Sequence, residues 1–98
     1  MVAPAGPSRP LFPLGQLVAT PGALAALKRS GESPFSFCHR HCHGDFGVVD
    51  AEDWQANERA IRDGERIVSA YVTGGGEKLW VITEADRSST CILLPEEY

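Results

Sequence analysis

No apolar stretch in this 98-residue chain approaches the roughly 20 residues that cross a bilayer. The opening MVAPAGPSRP has no apolar core of the kind an export signal needs, and the LFPLGQLVA that follows is interrupted by Pro13 and Gly15. Cysteine is sparse and odd in number, at three. That suits a reducing compartment better than a disulfide framework, so the cytoplasm is the expected location and no membrane partner is expected. Positive charge is also in short supply: nine Lys and Arg face thirteen Asp and Glu, for a net charge of −4. A general nucleic-acid binder needs clustered basic residues, so direct nucleic-acid binding is not expected. The charge is uneven, +3 over residues 1–31 and −7 over residues 32–98, which makes a basic partner the natural one for the larger segment. No cofactor fingerprint is present, and no cofactor is expected.

The length allows one domain with one modest core. Pro4, Pro7, Pro10 and Pro13 set residues 1–13 apart as a Pro-rich extended tail, leaving 14–98 as a single α+β domain. Leu14–Ala19 reads as a short strand. Thr20-Pro21 and Ser33-Pro34 each read as an N-cap followed by proline at the first helical position, opening helices over Ala23–Arg29 and about Phe35–His43 that Gly31 and Gly44 end. Asp50 caps a third helix, Ala51–Asp63, stopped by Gly64. Asn57 falls between Trp54 and Ile61 on its semi-apolar face, where a buried amide must find partners, pinning a loop or joining a site. Beyond Glu65 the period becomes that of strands: Arg66–Thr73, Lys78–Thr83 and Thr90–Leu94, separated by short polar turns. The expected architecture is an antiparallel sheet of three or four strands with two or three helices packed on one face. The other sheet face would be covered by the first strand and the tail or left as an apolar patch.

The densest chemistry is Cys38-His39-Arg40-His41-Cys42-His43 followed by Gly44-Asp45-Phe46-Gly47. On a helix Cys38, His41 and Cys42 share a face, which makes them weak candidates for a metal; a closed zinc site needs a second ligand pair, and only Cys91 is left to supply it. The alternative has Cys38 and Cys42 as small core residues. His41 with Asp45 also supplies the types for acid-base chemistry, whereas Gly-Asp-Phe-Gly is equally a helix end followed by a turn in which Asp45 binds backbone amides. The loop Glu84-Ala85-Asp86-Arg87 is either an Asx turn with a paired arginine or a binding loop on a rigid hairpin.

The chain resembles a family of small uncharacterised proteins of bacterial plasmids and integrative elements, often labelled plasmid-related and sometimes labelled a type I restriction enzyme subunit. The residues that carry this are LGQLVATPGAL at 14–24, Arg40-His41 with GDFG, Asp53, Asn57, Arg66, SAY at 69–71 and WVITEADRSSTCILLPEEY at 80–98. The resemblance implies a polar set of His41, Asp45, Asp53, Asn57, Arg66, Tyr71, Glu84, Asp86 and Arg87, forming a buried network or one shared site; it leaves Cys38 and Cys42 outside and brings no established activity. A literal restriction subunit is excluded by length.

Two functions follow as expectations. One is an acidic accessory protein of a mobile genetic element that binds a host protein, a nuclease or CRISPR surveillance subunit, to blunt restriction or CRISPR defence. Its binding residues would be Glu52, Asp53, Asn57, Glu84, Asp86 and Arg87, on or near the acidic stretch from Asp50 to Glu65. The other is a small hydrolase or nucleotide-processing enzyme in which His41 and Asp45 act with Arg87 as the anion holder. That second reading requires the three to converge on one cleft. The molecule would act as a monomer or as a homodimer joined by its apolar sheet face.

Overall fold

The computed structural model describes residues 9–98. Its elements are β1 (Gln16–Ala19), α1 (Pro21–Ser30), α2 (Pro34–Cys42), α3 (Ala51–Asp63), β2 (Ile67–Val72), β3 (Lys78–Thr83), β4 (Ser89–Leu93) and a closing 3-10 turn, Pro95–Glu97. Each helix starts where its cap chemistry places it: Thr20, Ser33 and Asp50 accept from the backbone N–H of Ala23, Phe35 and Asp53. Gly31 and Gly64 end α1 and α3 in the left-handed conformation.

The fold is α+β, with a four-stranded sheet in the order β1-β4-β3-β2. β2, β3 and β4 form the antiparallel meander that their short connections dictate. The sheet is nevertheless mixed, because β1 pairs with β4 in parallel. This corrects the antiparallel expectation. A tight turn fixes the relative direction only of the strands it joins, and β1 is separated from β4 by three helices and two strands.

Alternation along the meander sorts the side chains. Tyr71, Leu79, Val81 and Ile92 point to the helical layer and pack with Ala23, Ala26, Leu27, Phe37 and Cys38. A second apolar cluster, Phe12, Cys42, Phe46, Ala60 and Ile67, lies beside it toward α3, with Trp54 and Ile61 against it. Phe12 is only 5% exposed, and Leu11 N–H donates to Cys42 C=O at 2.7 Å. The tail boundary drawn at residue 13 thus falls within packed chain, and the remainder of that tail, residues 1–8, lies outside the described residues. Proline spacing excludes a helix there but does not prevent one aromatic from docking in the core.

The opposite sheet face is crossed by the C-terminal turn. The Tyr98 ring stands edge-on to Trp80 at 5.5 Å, and the Glu97 carboxylate accepts from the N–H of Gly22 at the start of α1 and from the N–H of Leu94 at the start of its own turn. No helix among the described residues is long and apolar enough to cross a membrane.

The middle of the outer edge of β2 is covered by the chain between α2 and α3. Ala70 donates to Phe46 C=O at 3.1 Å and accepts from Val48 N–H at 2.7 Å. Gly47, at φ 77°, sits between them, and a Cβ there would lie 1.9 Å from the Ala70 oxygen. Only glycine permits this approach.

Candidate functional site

The polar residues singled out by the sequence fall in separate places: inside the core, in the turn after α2, in the β3–β4 loop and along a groove beside α3. His41 is the centre of the first group. It is fully buried, with Nδ1 2.6 Å from Ser69 Oγ and Nε2 2.9 Å from Thr83 Oγ1. Thr83 Oγ1 lies 2.6 Å from Thr90 Oγ1, which donates to the Leu14 carbonyl at 2.7 Å. Because a carbonyl only accepts, the direction of the whole chain follows. Thr90 donates to Leu14, Thr83 donates to Thr90, and His41 donates from Nε2 to Thr83.

Burial pushes the His41 pKa down to about 4, so the imidazole is neutral near pH 7 and its bare Nδ1 accepts from Ser69. Ser69, Thr83 and Thr90 were not anticipated as partners. The available signal was that they occupy the inward positions of the strand alternation, where small hydroxyls among apolar residues need a partner.

Asp45 lies at the end of α2. Arg40 Nε donates to its carboxylate at 2.7 Å and Gly47 N–H donates at 3.1 Å, while Tyr71 O–H donates to its backbone carbonyl at 2.6 Å. Partial burial works to raise the Asp45 pKa, but the Arg40 and Gly47 donors outweigh it and hold the group below its ordinary value. The Arg40 guanidinium stacks 4.6 Å from the Tyr71 ring centre. These contacts lock the turn that carries Gly47 to β2.

Arg87 is a clamp on backbone carbonyls. Its Nη1 donates to the carbonyls of Glu65, Glu84 and Ala85, and its Nη2 donates to Ala60 C=O at 2.9 Å. This ties the β3–β4 loop to the C-terminal end of α3, where unpaired carbonyls collect. Phe12 lies between the two functional candidates: its ring is 5.7 Å from the Arg87 guanidinium carbon and 5.1 Å from the His41 ring. His41, Asp45 and Arg87 thus do not share a cleft. The acid-base reading lacks the convergence it requires, since His41 is closed to solvent and the Arg87 guanidinium is turned onto backbone carbonyls.

The cysteines have separate surroundings. Cys38 packs in the first core cluster and Cys42 in the second, and burial pushes the Cys38 thiol up to about 11. With His41 saturated by hydroxyls, these three residues do not form a ligand set, and no group of three or more His, Cys, Asp or Glu able to hold a metal occurs among the described residues.

Asn57 covers the Val68 position of the β2 edge. Its amide nitrogen donates to Val68 C=O at 2.8 Å and its oxygen accepts from Val68 N–H at 3.1 Å. The side chain pairs with Val68 as a neighbouring strand would. In the β3–β4 loop, Asp86 accepts from Ser88 N–H at 3.0 Å, and the Ser88 contacts lower its pKa. Glu84 sits 3.8 Å from Arg66 Nε in an exposed pair, and Arg66 Nη1 donates to Tyr98 O–H.

A groove between α3 and β2, about 380 Å³ in volume, is open to solvent and lined by Val49, Asp53, Ala56, Asn57, Glu65, Arg66 and Val68 among others. It brings together Asp53 and Asn57 of the expected binding residues. Glu52 lies beside it in the first turn of α3, and Glu84 reaches its vicinity through Arg66. Asp86 and Arg87 belong instead to the loop. The carboxylates of Glu52, Asp53 and Glu65 form no ion pair among the described residues. Arg59 and Arg62 on the later turns of α3 interrupt the acidic stretch, so its negative character is strongest at the start of the helix. The groove lining combines the carboxylates of Asp53 and Glu65 and the guanidinium of Arg66 with the apolar side chains of Val49, Ala56 and Val68.

Compared with known protein families, with curated proteins and with solved structures, the chain matches none.

Proposed function

We propose that the protein acts by binding another protein in the cytoplasm, as a small acidic accessory protein of a bacterial mobile element that blunts restriction or CRISPR defence. The observation that carries the binding part is how the polar groups are engaged: His41 is sealed in the core, Asp45 is paired at the surface with Arg40 and Arg87 clamps backbone carbonyls, whereas Asp53 and Glu65 in the α3–β2 groove and Glu52 beside it have no ion-pair partner among the described residues. A basic side chain from a nuclease or a CRISPR surveillance subunit would enter that groove, with Glu52 and Asp53 drawing the partner in through the field at the start of α3. The mobile-element part rests on the family resemblance of residues 14–98.

The test is affinity purification of the tagged protein from a host carrying restriction and CRISPR systems, at low and high salt. A nuclease or surveillance subunit is expected to be retained at low salt, weakened by high salt, and lost on combined Glu52→Lys and Asp53→Lys substitution. Retention insensitive to both salt and charge reversal would rule out the acidic groove as the binding surface.

A further inference from the structure

The two edges of the sheet are treated differently. On β2 the outward backbone groups of Val68 and Ala70 are engaged by Asn57, Phe46 and Val48. On β1, Gln16 N–H bonds Ser88 C=O at 3.0 Å and Thr20 N–H bonds Ile92 C=O at 3.0 Å, so the even-numbered residues face β4. Backbone groups alternate sides along a strand, which turns the N–H and C=O of Leu17 and Ala19 outward. Among the described residues nothing bonds them.

The edge is also apolar. Leu17 is 40% exposed and Val18 is 42% exposed. A groove of about 140 Å³ runs beside them, walled by Ala19, Phe35, Cys38 and Ile92, with Phe35 67% exposed at its lip. From Pro10 through Leu27 the sequence contains no charged residue. Exposed edges are ordinarily blunted by lysine, inward charge or a covering loop, and β1 has none of these among the described residues.

We propose that this edge is filled by a second copy of the chain, the two β1 strands pairing antiparallel about a two-fold axis through Val18. In this register Leu17 lies opposite the partner's Ala19 and Ala19 opposite the partner's Leu17. Both are hydrogen-bonded pairs, so every outward donor on one strand meets an outward acceptor on the other. Val18 then faces the partner's Val18 as the close, non-hydrogen-bonded pair on the axis, a favourable β-branched contact on the sheet face opposite the helices. The missing charge selects a second copy over a charged partner, because across a two-fold any charge near the axis would meet its own like. The result is a continuous eight-stranded sheet. The strand seam is short, so the association is weak and concentration-dependent.

The experiment is sedimentation velocity of the full chain over a wide concentration series, joined to site-specific cross-linking. Wild type is expected to shift from monomer to twice the monomer mass, and Val18→Lys to stay at monomer mass while keeping the wild-type far-ultraviolet spectrum. Val18 lies beside Cys91 on β4, so cross-linking uses a Cys91→Ser background. There Val18→Cys is expected to oxidise to an interchain disulfide, and Gln16→Cys, on the same sheet face but off the axis, is not. Cross-linking keeps the proposal testable if Val18→Lys fails to fold. Wild type that stays monomeric throughout, a folded Val18→Lys variant that still dimerises, or cross-linking through Gln16→Cys in preference to Val18→Cys would overturn it. A monomeric wild type whose Val18→Lys variant loses a host protein would overturn it too, and would assign the edge to a strand of that protein.

Discussion

Acid should loosen this fold through a single histidine, beginning well above the range in which its carboxylates titrate. His41 has an unperturbed value of 6.5 and a value of about 4 in the fold. Its folded pKa is depressed, so the unfolded chain binds the extra proton first. The stability held by the neutral ring is complete above pH 6.5 and declines as pH falls toward about 4. From about pH 7.5 to about pH 4.5 the linkage relation gives a loss of about 2–3 kcal/mol. For a domain of this size that corresponds to a drop in Tm of roughly 10–20 °C. Asp45, with its pKa lowered from 3.8, contributes stability that is lost as pH falls from that ordinary value toward the lowered one, so its window lies below that of His41. Urea unfolding at a series of pH values would measure the slope, and His41→Leu, which retains His39 and His43, supplies the reference. That variant should be less stable at neutral pH, because the Ser69 and Thr83 hydroxyls lose their partner, but should lack the slope. Direct observation of the ring by NMR should show the Nε2–H tautomer and no titration near neutrality. A His41 ring that titrates near 6.5, or a slope shared equally by wild type and His41→Leu, would refute the hydrogen-bond chain.

Two further substitutions probe the clamps. Asn57→Ala should cost about 1–3 kcal/mol by leaving both Val68 backbone groups without partners, and should speed exchange of the Val68 amide; Asn57→Asp should not rescue it, since a carboxylate sets an acceptor against the Val68 carbonyl. Urea unfolding and hydrogen exchange give both readouts. Arg87→Lys should cost about 1.5–3 kcal/mol in thermal or urea unfolding despite retaining the charge, because an ammonium cannot span the Ala60, Glu65, Glu84 and Ala85 carbonyls as the guanidinium fork does; an unchanged stability would mean the clamp is dispensable.

The features legible in the sequence were those set by neighbours in the chain. Thr20-Pro21, Ser33-Pro34 and Asp50 announced the helix starts because a cap acts over two or three residues, and the alternation in 66–94 announced the meander because its turns are short. Asn57 was recognisable as an amide in need of partners, although which strand it would pair with was not. The features that escaped depend on contacts between distant positions. The parallel docking of β1 rests on pairing with β4 and on the Thr90 hydroxyl reaching the Leu14 carbonyl across 76 residues of sequence. His41 could not be read as a closed group because its two partners stand 28 and 42 residues away. The residue types fit either an acid-base catalyst or a structural hinge of the core, and only burial decides between them.

The placement of the two surfaces bears on how they would work together. The α3–β2 groove lies at one end of the sheet and the free edge of β1 at the other, with β4 and β3 between them. Pairing through β1 would therefore leave both grooves unobstructed, on the outer margins of an eight-stranded sheet. At a spacing of about 4.8 Å per strand the two β2 edges would stand roughly 30–35 Å apart. A monomer offers one small acidic groove, for which a single inserted lysine or arginine gives limited affinity. A dimer offers the same groove twice at a fixed separation, and the second contact then forms at high effective concentration. The hydrogen-bond chain through His41 supports this division of labour: it ties α2, β2, β3, β4 and the chain leading into β1 into one rigid body, so the separation of the grooves is set by the sheet and not by a flexible link.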